Sequence, residues 1–198
     1  MTDNVDRSKR RLLLAATSAA GGVAAAGMAT PFVLSFMPSE RAKAAGAPVE
    51  VDISSIAPGT MKVVEWQGKP VWVVRRTQEM LDLLAKHDAE LTDPTLEVQQ
   101  QPDYCKNPAR SIKPEVFVVI GICTHLGCSP SYRPEAAPAD LGANWGGGWF
   151  CPCHGSRFDM AARVYKGSPA PTNLIIPPHQ YLTDTTLLIG DDKNKGAA

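Results

Sequence analysis

The chain has no surplus of charge: 20 Lys and Arg balance 20 Asp and Glu. It has no large basic patch either, so it lacks the electrostatic footprint of a nucleic-acid-binding protein. No internal repeat is visible, which excludes a solenoid. The one glycine run, Gly146-Gly147-Gly148, has no lysine of a phosphate loop and leads into a short strand, so it is not a phosphate cradle. Its expected role is close backbone approach. Aromatics are few, at 7%, yet Trp145 and Trp149 both precede a cysteine-rich stretch. Long apolar runs are limited to one, from Leu12 to Met37. What the chain does have is 16 glycines and 17 prolines, the composition of a loop-rich or β-rich body.

No charged residue interrupts Leu12 to Met37. As a helix it would span about 39 Å, enough for one tilted crossing of a bilayer core about 30 Å thick. Pro31 falls inside it. Arg7, Lys9, Arg10 and Arg11 precede it, and the positive-inside tendency places that end in the cytoplasm. Arg10-Arg11 before Leu12-Leu13-Leu14 also resembles a twin-arginine export signal, suited to a protein exported already folded around its cofactor. Ala42-Lys43-Ala44 fits a cleavage pattern, but the apolar run is far longer than the usual core of a signal peptide, so a retained anchor is expected. The organisation expected is a cytoplasmic terminus (1–11), an anchor (12–37), a flexible hinge linker (38–48) and a head (49–198). The alanine-rich middle of the linker leaves a stiff helix open as an alternative.

In the head, residues 49–53, 61–66 and 71–76 read as strands, with Gln67-Gly68-Lys69-Pro70 as a hairpin turn. Thr77 is placed to cap a helix running to about Leu91, with Met80, Leu81, Leu84 and Leu91 on one face. Residues 92–114 read as a polar loop, and 115–122 as a buried strand. Residues 162–165, 173–176 and 185–190 continue the β pattern.

Two boxes concentrate the chemistry. CTHLGC (123–128) and CPCHGS (151–156) stand 22 residues apart and hold four of the five cysteines and two of the four histidines. A zinc ion, a disulfide, a nucleophilic thiol and an iron–sulfur cluster all use such donors. Zinc can take two Cys and two His, but structural sites usually pair Cys with Cys and His with His, and two cysteines would be left over. A nucleophile needs one thiolate and one base, not two matched boxes. Cys105, His87 and His179 have no such neighbours and read as structural.

The pair of boxes resembles the Rieske iron–sulfur family. By that resemblance Cys123 and Cys151 hold one iron of a single [2Fe–2S] cluster and His125 and His154 the other. Cys128 and Cys153 match the pair that forms a disulfide between the two loops, which an oxidising periplasm would preserve. Rieske ferredoxins and ring-hydroxylating oxygenases share only the four ligands. The extra cysteines therefore point to the respiratory, membrane-anchored branch, the iron–sulfur subunits of bacterial ubiquinol–cytochrome c reductases (cytochrome bc1 complexes). Gly167-Ser168-Pro169-Ala170-Pro171 matches the proline loop of that group.

The resemblance implies a mainly β fold: an antiparallel head with a small cluster-binding part (about 120–171) inserted in a larger base, and one N-terminal transmembrane helix. It implies oxidoreductase function, with electrons passing from ubiquinol to cytochrome c1. Cytochrome b, cytochrome c1, ubiquinol and, through residues 12–37, the lipid bilayer are the partners, in a dimeric complex. The site is the bacterial inner membrane, single-pass, with the head in the periplasm. His154 is implied as the quinol hydrogen-bond partner and proton acceptor, with His125 sharing the titration. Ser156 is implied as donor to a bridging sulfide, and Leu126 as a shield of the cluster. Phe158 departs from a tyrosine usual in mitochondrial members, which removes one donor and lowers the expected potential. The stretch Ser129 to Gly142 is also longer than in those members. Two other functions fit the boxes: the small subunit of a periplasmic oxidase such as arsenite oxidase, and a zinc-stabilised binding module.

Overall fold

The structure is a computed structural model and describes residues 6–193. The chain divides after Ala44 into two units, each described here by itself.

The N-terminal unit is a helix, α1 (Arg7–Ser35), that carries no buried residue. Asp6 caps it, its carboxylate accepting from the N–H groups of Ser8 and Lys9 at 3.0 and 3.3 Å, the satisfaction a first turn requires. Pro31 sits within it without ending it. By length and composition α1 can cross a membrane. The stretch expected to be a flexible hinge contains a short helix, α2 (Glu40–Ala45), so its middle takes the helical alternative that its alanines favour.

Among the described residues the head forms three antiparallel sheets of three strands each. The first pairs β1 (Val49–Asp52), β9 (Thr186–Ile189) and β8 (His179–Thr183) in that order. The second pairs β2 (Met61–Trp66), β3 (Lys69–Arg75) and β4 (Val116–Ile120). The third pairs β5 (Ser131–Arg133), β6 (Gly148–Phe150) and β7 (Arg157–Asp159). The β2–β3 hairpin closes with Gln67 and Gly68 at φ +53° and +70°, the mirror-image turn that suits strand twist. Lys69 and Pro70 lie in β3 rather than in the turn.

In the middle sheet β3 is buried through Val71–Val74 and β4 throughout, on both faces, which explains why β4 is a continuous apolar run. Val71, Val73, Val118 and Ile120 join Val51, Leu187 and Ile189 in one core. Trp72, Val74, Phe117 and Val119 join Trp149, Phe158, Met160 and Leu174 in the other, which also takes in Cys123 and Cys151. Trp72 and Trp149 stack at 5.6 Å and 8°, an arrangement that contributes about 0.5–1.5 kcal/mol beyond its buried area. Gly148 allows β6 to approach β7: a Cβ there would stand 1.9 Å from the Phe158 carbonyl oxygen. That is the close approach expected of the glycine run.

Several local expectations are corrected. The helix capped by Thr77, α3 (Gln78–Leu84), stops well before Leu91, and a 3-10 turn over Asp88–Glu90 follows. Leu91 instead makes an isolated bridge to Tyr165. Residues 162–165 form only single bridges, Phe158 to Val164 and Leu91 to Tyr165. Residues 173–176 form no strand: Leu174 and Ile176 donate to the loop carbonyls of Ala162 and Gln100. Their apolar side chains report burial, not pairing. β8 lies where Pro177-Pro178 and a mixed polar sequence gave no strand pattern. Residues 92–114 are not simply a polar loop, since Gln101, Cys105, Arg110 and Ser111 are buried.

Candidate metal centre

The two boxes fold as two copies of one loop. In the first, the Cys123 N–H donates to the Cys128 carbonyl at 2.8 Å and the Gly127 N–H to the Cys123 carbonyl at 3.0 Å. In the second, Cys151 N–H donates to the Ser156 carbonyl at 2.8 Å and Gly155 N–H to the Cys151 carbonyl at 2.9 Å. Gly127 and Gly155 take φ of +84° and +78°, a conformation glycine adopts without penalty. One disulfide, Cys128–Cys153, joins the loops.

This frame sorts the four expected ligands by depth. Cys123 and Cys151 are buried, with their thiols within hydrogen-bonding reach of each other. Burial, and then the neighbouring Cys123 thiol, push the Cys151 thiol up, while the N–H groups of Cys153 and His154 oppose that rise. A cation between the two sulfurs is what would hold both as thiolates. His125 is half-buried and His154 exposed; their rings meet edge to face at 4.7 Å. Two sulfurs inside and two imidazoles outside fit the Cys2His2 donor set of a Rieske [2Fe–2S] cluster. The sulfurs of Cys128, Cys151 and Cys153 also lie within 4.8 Å of one another. Two of them are consumed by the disulfide, so that trio is no metal site.

The surroundings hold the loops in place. The fully buried Ser156 hydroxyl accepts from the Ala170 N–H at 3.0 Å, which leaves its proton free to be donated elsewhere. The proline loop, 167–171, is further held by the Arg157 N–H donating to Ser168 Oγ at 3.1 Å. Thr124 donates its hydroxyl to the Thr172 carbonyl at 2.7 Å, a tie between the first box and the end of the proline loop that residue type alone did not reveal. Leu126 stands 72% exposed beside His125. Phe158 is fully buried in β7 and offers no donor. The long stretch 129–142 contains β5, and within it Arg133 pairs with Glu135 and with Asp140.

The remaining candidates lie elsewhere. Cys105 is buried, its thiol pushed up to about 12 by burial. His179 is buried against the Pro177 carbonyl. His87 lies edge-on to Tyr165.

Residues 48–179 match the Rieske [2Fe-2S] domain. The chain belongs to the Rieske [2Fe–2S] family. Residues 1–39 match a second family, described as "Ubiquitinol-cytochrome C reductase Fe-S subunit TAT signal". Over its length the chain is similar to the ubiquinol-cytochrome c reductase iron-sulfur subunit of Allochromatium vinosum, with 65% identity across 96% of this chain and 91% of that one. The same subunit of Rhodospirillum rubrum is 42% identical across 96% of this chain and 95% of that one. Among solved structures, a chain of a hyperthermophilic respiratory Complex III matches with a TM-score of 0.50 and 29% identity, covering 87% of this chain and 96% of that one.

Proposed function

We propose that this chain is the electron-carrying Rieske subunit of a bacterial ubiquinol–cytochrome c reductase, taking one electron from ubiquinol and passing it to cytochrome c1. The observation that carries this reading is the pairing of two buried thiols with two outward imidazoles on matched loops. Cys123 and Cys151 would hold one iron, His125 and His154 the other. A bound cluster with that ligand set supplies a one-electron couple at about −150 to +300 mV, against about −400 mV for plant-type ferredoxins.

The chain's own groups handle the proton and the docking. The exposed ring of His154 can receive a hydrogen bond from the quinol hydroxyl and then its proton, with His125 beside it as a second acceptor. Leu126 offers an apolar contact to cytochrome b at the quinol site. Ser156, its oxygen engaged by the Ala170 N–H, would donate its hydroxyl proton to a bridging sulfide of the bound cluster. Residues 12–37 anchor the chain in the inner membrane, with the arginine-bearing end in the cytoplasm and the head (49–198) in the periplasm. The stretch 38–48 serves as the tether, and the complex is a dimer.

Affinity purification of the membrane-extracted protein tests this reading. Cytochromes b and c1 should co-purify with it, together with antimycin-sensitive quinol–cytochrome c activity. Recovery of an iron–sulfur protein without either cytochrome would overturn it.

A further inference from the structure

Arg76, Arg110 and Arg163 are buried. Arg163 has counter-charges: its Nε donates to Asp159 at 2.8 Å and its Nη1 to Asp88 at 2.7 Å. Arg76 and Arg110 form no ion pair among the described residues, and their donors end on neutral oxygens. Arg76 donates to the carbonyls of Pro114, Ala109 and Met160 at 2.8, 2.9 and 3.0 Å and to Ser111 Oγ at 2.8 Å. Arg110 donates to Gln101 Oε1 and to the carbonyls of Ala161, Ala162 and Leu174, the last at 2.8 Å. Burial lowers the two guanidiniums to about 9 and about 10, so both stay cationic at neutral pH.

Hydrogen bonds alone do not require a charge, since a neutral amide can bridge carbonyls. Burying a cation without a counter-charge is costly, and what it adds is a field through an apolar medium that water and salt screen poorly. The place of that field matters. Met160, Ala161 and Ala162 follow β7, the strand that leaves the second box just after Ser156. Leu174 lies just beyond the proline loop. The Arg76 guanidinium lies 4.7 Å from the Phe117 ring centre, and Phe117 lies 5.8 Å from Trp149. Trp149 is on β6, two residues before Cys151, in the same apolar cluster as both ligand cysteines. Among the described residues Asp159 is the one buried carboxylate; it acts on both arginines, while the less buried Glu115 acts on Arg76 and Asp93 on Arg110.

We propose that Arg76 and Arg110 are positioning residues that brace the bases of the second box and the proline loop, and that their unpaired charges favour the reduced state of the cysteine–histidine site. Reduction places one further negative charge at that site, so fixed cations raise its potential and the Asp159 carboxylate lowers it. The inference rests on the proposed function, because only a one-electron centre gives the charges something to bias.

The test is a redox titration of the full-length, cluster-loaded protein in detergent, followed by electron paramagnetic resonance, for the wild type, Arg76→Gln, Arg110→Gln and Asp159→Asn. The arginine variants should shift the midpoint down and Asp159→Asn should shift it up. Loosened loops would move all three in one direction, and that result, or unmoved midpoints, overturns the inference while leaving the function standing. If neither arginine variant accumulates, Asp159→Asn decides alone: a rise supports the proposal, and a fall or no change overturns it. A wild type without any iron–sulfur signal overturns the function as well.

Discussion

The imidazole rings of His125 and His154 stand edge to face, 4.7 Å between centres and 87° between planes. They come from different loops, yet each follows its own buried cysteine by two or three residues. The loops' shared hydrogen bonds bring both rings to one surface and leave both thiols beneath it. Under the proposed function, this single exposed edge is where proton and electron would both be handled.

That edge predicts coupling. In the loaded protein the midpoint potential should be flat in acid and fall in alkali, approaching about 59 mV per pH unit for one coupled proton. Voltammetry across the pH range measures it. A flat profile throughout would contradict proton transfer at the imidazoles.

Ser156 is buried, with its oxygen already engaged by Ala170. A hydroxyl bond to a charged acceptor contributes about 1.5–3 kcal/mol. If it favours only the reduced state, Ser156→Ala should lower the potential by about 65–130 mV. Phe158→Tyr, which adds a donor on β7 two residues beyond Ser156, should shift it upward. Redox titration of both variants checks the opposite signs.

The disulfide spans a sequence separation of 25 residues. On the chain-entropy scale, replacing Cys128 and Cys153 by Ala should cost about 3.5 kcal/mol. Calorimetry of the double variant should show a lower melting temperature, and bleaching of the cluster should move down with it.

His179 gives a second pH effect, on stability. Burial holds its imidazole below the ordinary value, against the pull of the Pro177 carbonyl. The unfolded chain then binds a proton that the folded chain resists. This contribution is fully present above about pH 6.5, the unfolded value, and is lost as pH falls from there toward the lower folded value. Denaturant unfolding between about pH 7 and pH 5 should show this slope, and His179→Gln should flatten it.

The candidate ligands Cys123, His125, Cys151 and His154 stand out in the sequence because two short boxes concentrate cysteine and histidine, and the family resemblance then assigns them their roles. The β2–β3 hairpin and the Thr77 cap were legible for a local reason too. Residues whose role depends on distant partners were not. Leu174 and Ile176 look like strand residues because burial and pairing leave the same apolar signature, and only their bonds to loop carbonyls tell the two apart. Arg76 and Arg110 look like solvated charges until the carbonyls that enclose them are known. Thr124 gives no sign of Thr172, because the two meet only across the fold.

Pulsed electron paramagnetic resonance of the dithionite-reduced protein reads the ligand set itself. Two coupled imidazole nitrogens should appear, and His125→Ala or His154→Ala should abolish the two-nitrogen pattern. A reduced spectrum with no nitrogen coupling, or purified protein without iron and acid-labile sulfide, would contradict a cluster held by two cysteines and two histidines.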